Sequence, residues 1–273
     1  MRAKVQTPAC IINGEQGDSL SSLDRGLLYG DGIFETIAIQ QGQPQYWQEH
    51  LERLKLGCEI LGLSGLDHAL LKTEVEKLID VDAQCIVKII ITRGVGGRGY
   101  KSTQQSLTRI IQKFPWTEYP ESYTQSGIDV TLCEFRLAQQ SKLAQIKHLN
   151  RLEQVLARSE WADEYQEGLV CDQEDHIIEA TSSNVFFEMA SCLVTPELTG
   201  CGVAGVLRNK VINYCNNNDI QLSIREFSLS EISDIQGMFV CNSVIGIWPV
   251  KCFSNLTLPK TAIIKKLMSI FNT

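Results

Sequence analysis

Apolar residues alternate with polar ones in some segments of this chain and recur at helical spacing in others. Residues 33–39 (IFETIAI) and 85–92 (CIVKIIIT) are rich in Ile and Val, which is typical of strands. Residues 47–62 and 70–79 place apolar residues at the spacing of a helix. Gly62 fits the end of the first of these helices. The apolar helical positions are Leu51, Leu54, Cys58 and Leu61.

The composition changes in the middle of the chain. Residues 114–127 (FPWTEYPESYTQSG) contain two prolines and many polar residues, which is typical of a linker. We therefore predict an N-terminal domain over 1–113 and a C-terminal domain over 128–273. Strands and helices are mixed without the regular alternation of a doubly wound sheet, which indicates an α+β fold.

The C-terminal part continues this mixture. A strand is predicted over 128–135, and an amphipathic helix begins near residue 151. Asn150 and Glu153 have the spacing of a capping box at the start of that helix. A later helix begins near Gly205. The strands predicted between these helices are EGLVCDQ, HIIEA, NVFFEM and CLVTP.

Charge and cysteine content narrow the class of protein. The chain has 273 residues, 44% of them hydrophobic, and 32 acidic against 25 basic residues, with a pI of about 5.2. This acidic balance argues against nucleic-acid binding. Ten scattered cysteines without a CxxC pair predict a cytoplasmic protein with reduced, mostly buried thiols. Neither a signal peptide nor a run of 18 apolar residues is found, so we expect no membrane span.

A glycine-rich segment follows the strand that ends at residue 92. Residues 93–102 (RGVGGRGYKS) satisfy G-x-G-x-x-G, but the polar turn and strand predicted after them do not fit a dinucleotide site. Tyr100 stands where a P-loop requires lysine. Two interpretations of residues 93–102 stay open. The segment is either a plain hairpin loop or a loop that presents Arg93 or Arg98 to an acidic ligand.

Three further segments each allow a structural and a chemical interpretation. Residues 202–208 (GVAGVLR) form either a tight turn into a helix or a phosphate site made by free N–H groups. Residues 179–184 (EATSSN) form either a polar turn or a carboxylate-bearing site. Lys147 either extends its amine to water or is a desolvated nucleophile. The four histidines lack metal-ligand spacing, and no GxSxG motif of a serine hydrolase occurs.

The order of these segments resembles the class IV, fold-type IV family of pyridoxal-phosphate enzymes. That resemblance implies a smaller N-terminal α/β sandwich, a larger C-terminal pseudo-barrel and pyridoxal 5'-phosphate as cofactor. The matching motifs are DRGLLYGDGIFET (24–36), HLERL (50–54), TRGVGGRGY (92–100), KHLNRLEQVLAR (147–158), EATSSNVFF (179–187), CGVAGVLR (201–208) and CNSVIGIWPV (241–250).

The resemblance also implies roles for individual residues. Lys147 would form the covalent link to the cofactor aldehyde and then shuttle the substrate proton. Glu179 would face the pyridine nitrogen and keep it protonated. Arg53 would bind the phosphate with its guanidinium fork. Further phosphate contacts would come from the N–H groups of Val206 and Leu207 and from Asn242 and Ser243.

Substrate recognition is likewise implied by the resemblance. Arg98, or alternatively Arg93, would meet a substrate carboxylate from the partner subunit, which requires a homodimer with active sites near the subunit interface. Phe34 stands where D-amino-acid aminotransferases carry tyrosine, and Thr36 is a candidate proton donor. Trp248 departs from the pattern of the resemblance, since lyases of this family often carry methionine before Pro-Val, and this departure would reshape the mouth of the pocket.

KHLNRLEQ and RGVGGRGY are most similar to the lyase branch of this family. Its members cleave the small molecule 4-amino-4-deoxychorismate by β-elimination into pyruvate and 4-aminobenzoate, a precursor of folate. The alternative is a class IV aminotransferase that acts on D- or branched-chain amino acids.

Overall fold

The computed structural model describes residues 9–102, 106–190 and 192–272. The start of the chain, which carries no predicted signal peptide, and residues 103–105 of the predicted polar turn lie outside these ranges. The described chain divides into two compact units. The first runs to Glu118 and includes Lys147–Asn150, and the second holds Tyr119–Ile146 and the residues from Arg151 onwards. The sequence-based boundaries 1–113 and 128–273 stay a prediction.

The first unit is built on a six-stranded sheet with the strand order β2-β1-β6-β5-β3-β4. Alternate residues of β3 and β5 face a core with Leu54, Leu71 and Val75 from two helices, as a sheet covered on one side requires. The elements are β1 (Ala9–Ile12), β2 (Glu15–Gln16), α1 (Arg25–Tyr29), β3 (Gly32–Gln40), β4 (Gln43–Pro44), α2 (Trp47–Leu61), α3 (His68–Glu76), β5 (Cys85–Thr92) and β6 (Thr108–Pro115).

The second unit is built on a nine-stranded sheet with the order β12-β11-β10-β13-β14-β7-β8-β9, and β15 pairs with β14. Ala180 N donates to Ser183 O, so the last strand of this path meets β10 across a short turn. The elements are α4 (Ser122–Gln125), β7 (Ile128–Leu137), α5 (Leu152–Arg158), β8 (Glu167–Asp172), β9 (Ile177–Ala180), β10 (Asn184–Glu188), β11 (Leu193–Pro196), α6 (Val206–Asn217), β12 (Leu222–Arg225), a 3-10 helix (Leu229–Asp234), β13 (Gly237–Asn242), β14 (Gly246–Phe253), β15 (Leu256–Thr257) and α7 (Ala262–Phe271).

Most predicted elements are confirmed, because their periodicity reflects burial. The predicted strand 85–92 is β5, and the predicted helix 47–62 is α2, which ends at Gly62 with the left-handed φ of 62°. Burial within β5 alternates along the strand, as expected for a sheet with one covered face. All ten cysteines are free, and seven of them are buried. No helix within the described ranges combines the length and the apolar character needed to cross a bilayer.

Helix α5 begins near the predicted residue 151, but the predicted capping box at its start is wrong. Its N-cap is Arg151 rather than Asn150, and no side chain caps it. The Asn150 amide instead donates to Gly30 O at 3.4 Å, and the Glu153 carboxylate accepts from Ala138 N at 2.8 Å. Both side chains are therefore used by tertiary contacts. The apolar residues of this helix are also exposed rather than buried: Leu152, Val155 and Leu156.

Candidate active site

Lys147 lies in a short extended segment that pairs with β3. Phe34 N donates to Lys147 O at 2.9 Å, and Leu149 N donates to Gly32 O at 3.0 Å. These two hydrogen bonds fix the backbone on both sides of the lysine. The Lys147 Nζ lies 4.6 Å from the centre of the Phe34 ring, within the range of a cation–π contact. The structure therefore brings together two residues that the sequence assigned to the site.

Arg53, the predicted phosphate ligand, is held by a buried carboxylate. The Glu35 carboxylate on β3 accepts hydrogen bonds from Arg53 Nε at 2.8 Å and Nη2 at 2.5 Å. His50, one turn earlier on α2, contacts the same carboxylate through Nδ1 at 2.6 Å. Burial would raise the pKa of Glu35, but the charge of Arg53 and the hydrogen bonds from Arg53 and His50 lower it to about 2.

Neither Glu35 nor His50 has a role that the sequence alone indicates, although both lie beside the predicted phosphate ligand Arg53. Glu35 occupies a core-facing position of β3, between Ile33 and Ile37, and is 1% exposed. A charged residue at an apolar position of a strand requires a partner, since an unpaired buried charge is costly. The interruption of the apolar pattern of β3 by Glu35 was therefore the feature of the sequence that indicated a buried charge with a partner. It could not identify Arg53 as the partner, because the two residues are 18 positions apart.

The opposite face of the same sheet carries Thr36. This residue pairs directly with Lys88 on β5, and Lys88 pairs with Gln112 on β6. The Lys88 Nζ lies 4.9 Å from the centre of the Phe34 ring. Phe34 is thus contacted by the amines of two lysines, Lys88 and Lys147, of which only Lys147 was predicted to lie in the site.

The two candidate arginines of the glycine-rich loop have different surroundings. Arg93 donates to Asp31 Oδ2 at 2.8 Å, and also to Leu61 O and Gly62 O. Its guanidinium is thereby bound to three acceptors of its own unit. Arg98, in contrast, is exposed to solvent.

Arg25 anchors this glycine-rich loop. Its guanidinium donates to Gly99 O at 2.9 Å and to Tyr100 O at 3.0 Å, and its Nε donates to Asp31. Arg25 is 4% exposed. A Cβ on Gly96 would lie 2.7 Å from Arg25 Cδ, so the glycine leaves room for the arginine stem. Arg25, through these bonds, holds the loop that carries Arg98.

In the second unit, Glu179 is a buried carboxylate at the end of β9. Its Oε2 accepts from Val203 N at 2.8 Å, and the side chain is 5% exposed. Asn184, at the start of β10, donates to Val203 O at 2.9 Å and accepts from Gly205 N at 3.1 Å. The Asn184 amide therefore joins the turn after Glu179 to the residues that begin α6.

The beginning of α6 presents backbone N–H groups. Gly205 is its N-cap, followed by Val206 and Leu207 in the first turn. Within the described ranges, no acceptor is found for the N–H groups of Val206 and Leu207. Such N–H groups, together with the helix dipole, favour an anion.

Asn242 and Ser243 lie in the turn that connects β13 to β14. The Asn242 Oδ1 accepts from Val244 N at 2.9 Å and Ile245 N at 3.0 Å, and its amide donates to Ser182 O at 3.2 Å. The Asn242 side chain thus shapes this turn. Ser243 is half-buried beside it.

A second buried carboxylate fixes the segment between Glu179 and Asn184. Glu167 on β8 accepts hydrogen bonds from three consecutive hydroxyl groups. The carboxylate is 2% exposed, so the turn is tied to the interior of the unit. A polar turn is one of the two interpretations that the sequence allows for residues 179–184, and Glu167 is the carboxylate to which this turn binds. The three donors are Thr181, Ser182 and Ser183.

Trp248 on β14 packs in the core of the second unit. Its ring makes edge contacts with Tyr119 at 4.8 Å and Tyr123 at 5.0 Å, and it is 6% exposed. In the described part of the chain, no group of three or more His, Cys, Asp or Glu residues could hold a metal ion.

Several known proteins are similar to this chain over most of its length. The chain is 32% identical to aminodeoxychorismate lyase of Vibrio harveyi over 96% of this chain and 99% of that protein. It is 24% identical to D-alanine aminotransferase of Bacillus licheniformis over 86% and 83%. The crystal structure of 4-amino-4-deoxychorismate lyase from Pseudomonas aeruginosa matches with a TM-score of 0.92 and 40% identity, over 96% of this chain and 97% of that one.

The fold is that of fold-type IV pyridoxal-phosphate enzymes, as the sequence predicts. The branched-chain amino acid aminotransferase of Escherichia coli shares it with a TM-score of 0.84 at 21% identity, over 97% of this chain and 93% of that one. The amino-transferase class IV profile matches residues 32–253, which include Lys147 and Glu179. The chain belongs to the class IV amino-transferase family.

Proposed function

We propose that this chain is a pyridoxal-phosphate-dependent lyase that converts 4-amino-4-deoxychorismate into 4-aminobenzoate and pyruvate. The observation that carries the proposal is the Lys147 amine beside the Phe34 ring, in a chain 40% identical to the P. aeruginosa lyase. Phenylalanine has no hydroxyl group with which to bind an α-carboxylate. This feature favours the lyase over an aminotransferase of D-amino acids.

The residues present fit the cofactor. The N–H groups of Val206 and Leu207 suit a phosphate, and Gly205 adds no side chain there. Glu179 is held by Val203 N as a carboxylate that can accept from a pyridinium N–H. Arg53 is oriented by Glu35 and adds a charged donor for the phosphate. Asn242 and Ser243 support the cofactor from the turn after β13.

Bound pyridoxal phosphate supplies an electron sink for the carbanion that forms when a proton leaves the substrate. The chain's own residues move that proton and orient the substrate. Lys147 Nζ would hold the cofactor through a covalent bond to its aldehyde carbon, and the same amine would take the proton from the amine-bearing carbon of the substrate. The carbon–oxygen bond on the adjacent carbon then breaks, the ring becomes aromatic, and the released enolpyruvate takes up a proton to give pyruvate. Thr36 is the candidate donor on the leaving side.

Arg98 is the proposed ligand of a substrate carboxylate, because Arg93 is bound to Asp31 and two carbonyl oxygens. We propose that Arg98 acts in trans, within a homodimer. Support comes from exposed apolar residues around the loop, since large apolar patches mark interaction sites. The exposed apolar residues are Leu23, Leu27, Leu28, Val95 and Tyr100.

The seven buried cysteines form no disulfide, which fits a reducing compartment such as the cytoplasm.

The proposal is tested by incubating the purified holoenzyme with 4-amino-4-deoxychorismate and measuring 4-aminobenzoate and pyruvate. We expect the two products in equal amounts. Borohydride reduction followed by peptide mapping should place the cofactor on Lys147, and Lys147→Ala should abolish both attachment and turnover. Amino transfer to 2-oxoglutarate without 4-aminobenzoate would instead support an aminotransferase.

A further inference from the structure

Arg208, in the first turn of α6, carries a buried positive charge. Its side chain is 6% exposed. The guanidinium donates to Thr195 Oγ1 at 3.2 Å and to Pro196 O at 2.9 Å. Both acceptors are neutral, and within the described ranges no carboxylate lies at ion-pair distance from this guanidinium. Burial lowers the pKa of Arg208, which reflects the cost of removing its charge from water.

Arg25, the other buried arginine of the described chain, has the partner that Arg208 lacks. Arg25 is 4% exposed, and its Nε lies 2.9 Å from the Asp31 carboxylate. A buried charge is costly unless a group of opposite charge is placed against it. The Glu179 carboxylate acts on Arg208 only from beyond ion-pair distance. The charge of Arg208 is therefore incompletely compensated by the chain itself.

The position of Arg208 along α6 is also unfavourable for a cation. Gly205 is the N-cap, so Arg208 is the third residue of the helix. The positive end of the helix dipole lies at this turn and disfavours a positive side chain. A Cβ at residue 205 would lie 3.6 Å from Arg208 Cβ, so the arginine stem begins beside the N-cap. An anion at the start of α6 would offset both the burial and the dipole.

Strand β11 keeps the guanidinium in the interior of the second unit. The buried Thr195 hydroxyl donates to Val185 O at 2.9 Å, and its oxygen accepts from Arg208 Nε. The carbonyl of the next residue, Pro196, accepts from Arg208 Nη2. These bonds hold the arginine away from water. A charge fixed in low-dielectric surroundings acts on its neighbours more strongly than the same charge in water.

We propose that Arg208 strengthens the binding of the cofactor phosphate at the start of α6 through its charge. This inference rests on the proposed phosphate site, which is formed by the neutral N–H groups of Val206 and Leu207. The charge of Arg53, the other proposed donor, is already balanced by the Glu35 carboxylate. A phosphate monoester carries a charge of about −1.5 to −2 at neutral pH. Arg208 supplies positive charge that the dianion requires and that Arg53 and Glu35 together do not.

The test compares the dissociation constants of pyridoxal phosphate and of pyridoxal, which lacks the phosphate, for the full-length apoprotein. Arg208→Met keeps the apolar stem and removes the charge. The preference for pyridoxal phosphate over pyridoxal should fall about tenfold or more, as expected when one buried charge near an anion is lost. Arg225→Met is the matched control. It removes a cation of the same unit that Glu231 already neutralises at 2.7 Å, and it should leave the preference unchanged.

Two further variants separate the charge of Arg208 from its structural bonds. Arg208→Lys keeps the charge and loses the guanidinium fork, and Thr195→Val removes the oxygen that holds the fork. Both should retain most of the preference for pyridoxal phosphate. Phosphorus NMR of the bound cofactor adds a second measurement. The phosphate should titrate at a higher pH in Arg208→Met than in wild type, because a nearby cation favours the dianion.

Each result decides a different point. An unchanged preference in Arg208→Met, or an equal loss in Arg208→Met and Arg208→Lys, would overturn the role of the charge. If Arg208→Met does not fold, the neutral Arg208→Gln, which keeps a donor for Pro196 O, is measured in the same way. A wild-type protein that binds pyridoxal phosphate no more tightly than pyridoxal overturns the proposed phosphate site and this inference with it. Absence of 4-aminobenzoate overturns the proposed reaction alone, since the titrations do not involve the substrate.

Discussion

Glu35 and Arg53 are joined by two parallel hydrogen bonds, at 2.8 Å and 2.5 Å, although 18 residues separate them in the chain. The carboxylate fixes the plane of the guanidinium, and His50 fixes the carboxylate. If Arg53 binds the cofactor phosphate as proposed, its guanidinium would therefore meet the phosphate with its orientation already set. Such supporting residues often change affinity as much as the ligand residues they hold.

Glu35→Gln should weaken cofactor binding. Glutamine offers one neutral acceptor instead of two charged ones, so Arg53 loses its fixed orientation, and we expect the Kd for pyridoxal phosphate to rise about 10- to 100-fold. Fluorescence titration of the apoprotein measures this. Glu52→Gln is the matched control. Glu52 is exposed on α2, the helix that carries Arg53, and its carboxylate accepts one hydrogen bond of 3.3 Å from the Gln48 amide. An unchanged Kd in Glu35→Gln would contradict the supporting role.

The Glu35 carboxylate should also make the free energy of unfolding depend on pH in the acid range. Its pKa is about 2 in the folded protein against an ordinary value of 4.5, so its stabilising contribution is complete above pH 4.5 and is lost as the pH falls towards 2. The contribution is at most about 3 kcal/mol. Urea unfolding from pH 6 down to the acid limit of solubility measures it. The difference in unfolding free energy between wild type and Glu35→Gln should shrink below pH 4.5, and a constant difference would refute the assignment.

The glycine-rich loop should be sensitive to substitution at one glycine and tolerant at its neighbour. A Cβ at residue 96 would lie 2.7 Å from Arg25 Cδ, whereas a Cβ at residue 97 meets no atom within 4 Å. Gly96→Ala should displace Arg25 and loosen the loop that carries Arg98, raising the KM for substrate about tenfold or more. Gly97→Ala should behave as wild type. Steady-state kinetics measures the KM of both variants. Equal KM values for Gly96→Ala and Gly97→Ala would rule out the anchoring role of Arg25.

The start of α6 gives a similar pair of substitutions. A Cβ at residue 205 would lie 2.0 Å from Asn184 Oδ1, whereas a Cβ at residue 200 has its nearest neighbour at 3.7 Å. Gly205→Ala should separate Asn184 from the helix start and disturb the N–H groups of Val206 and Leu207. We expect at least about a tenfold loss of pyridoxal phosphate affinity by titration, the effect of one or two hydrogen bonds to a charged group. Gly200→Ala should keep the wild-type Kd; similar affinities in both variants would argue against the phosphate role.

The parts of this structure that the sequence predicts are those set by neighbouring residues. Strand β5 and helix α2 have the predicted bounds within one residue, because their apolar periodicity follows from burial on one face. Asn150 and Glu153 matched a capping box locally but bind Gly30 and Ala138 instead. Local spacing could not reveal these distant partners, so the predicted cap failed.

Prediction of the candidate active site from the sequence has the same limit, because distant partners are not visible in local patterns. Lys147 stands out from its apolar surroundings in the sequence, and the motif around it identifies the family. The contacts of Glu35, His50 and Lys88 depend on pairing across strands and helices that are far apart in the chain. A charged residue at an apolar strand position indicates that a partner exists, but the partner can be identified only from the folded structure.

Lys147–Asn150 belong to the first unit, although the residues on both sides of them belong to the second. This constrains how the gene can be recombined with those of relatives. A chimaera that exchanges residues up to Glu118 alone would combine a foreign β3 with the original lysine segment. Crossovers that preserve the match must transfer residues 147–150 together with the N-terminal segment, so the two pieces of chain are expected to evolve as one block.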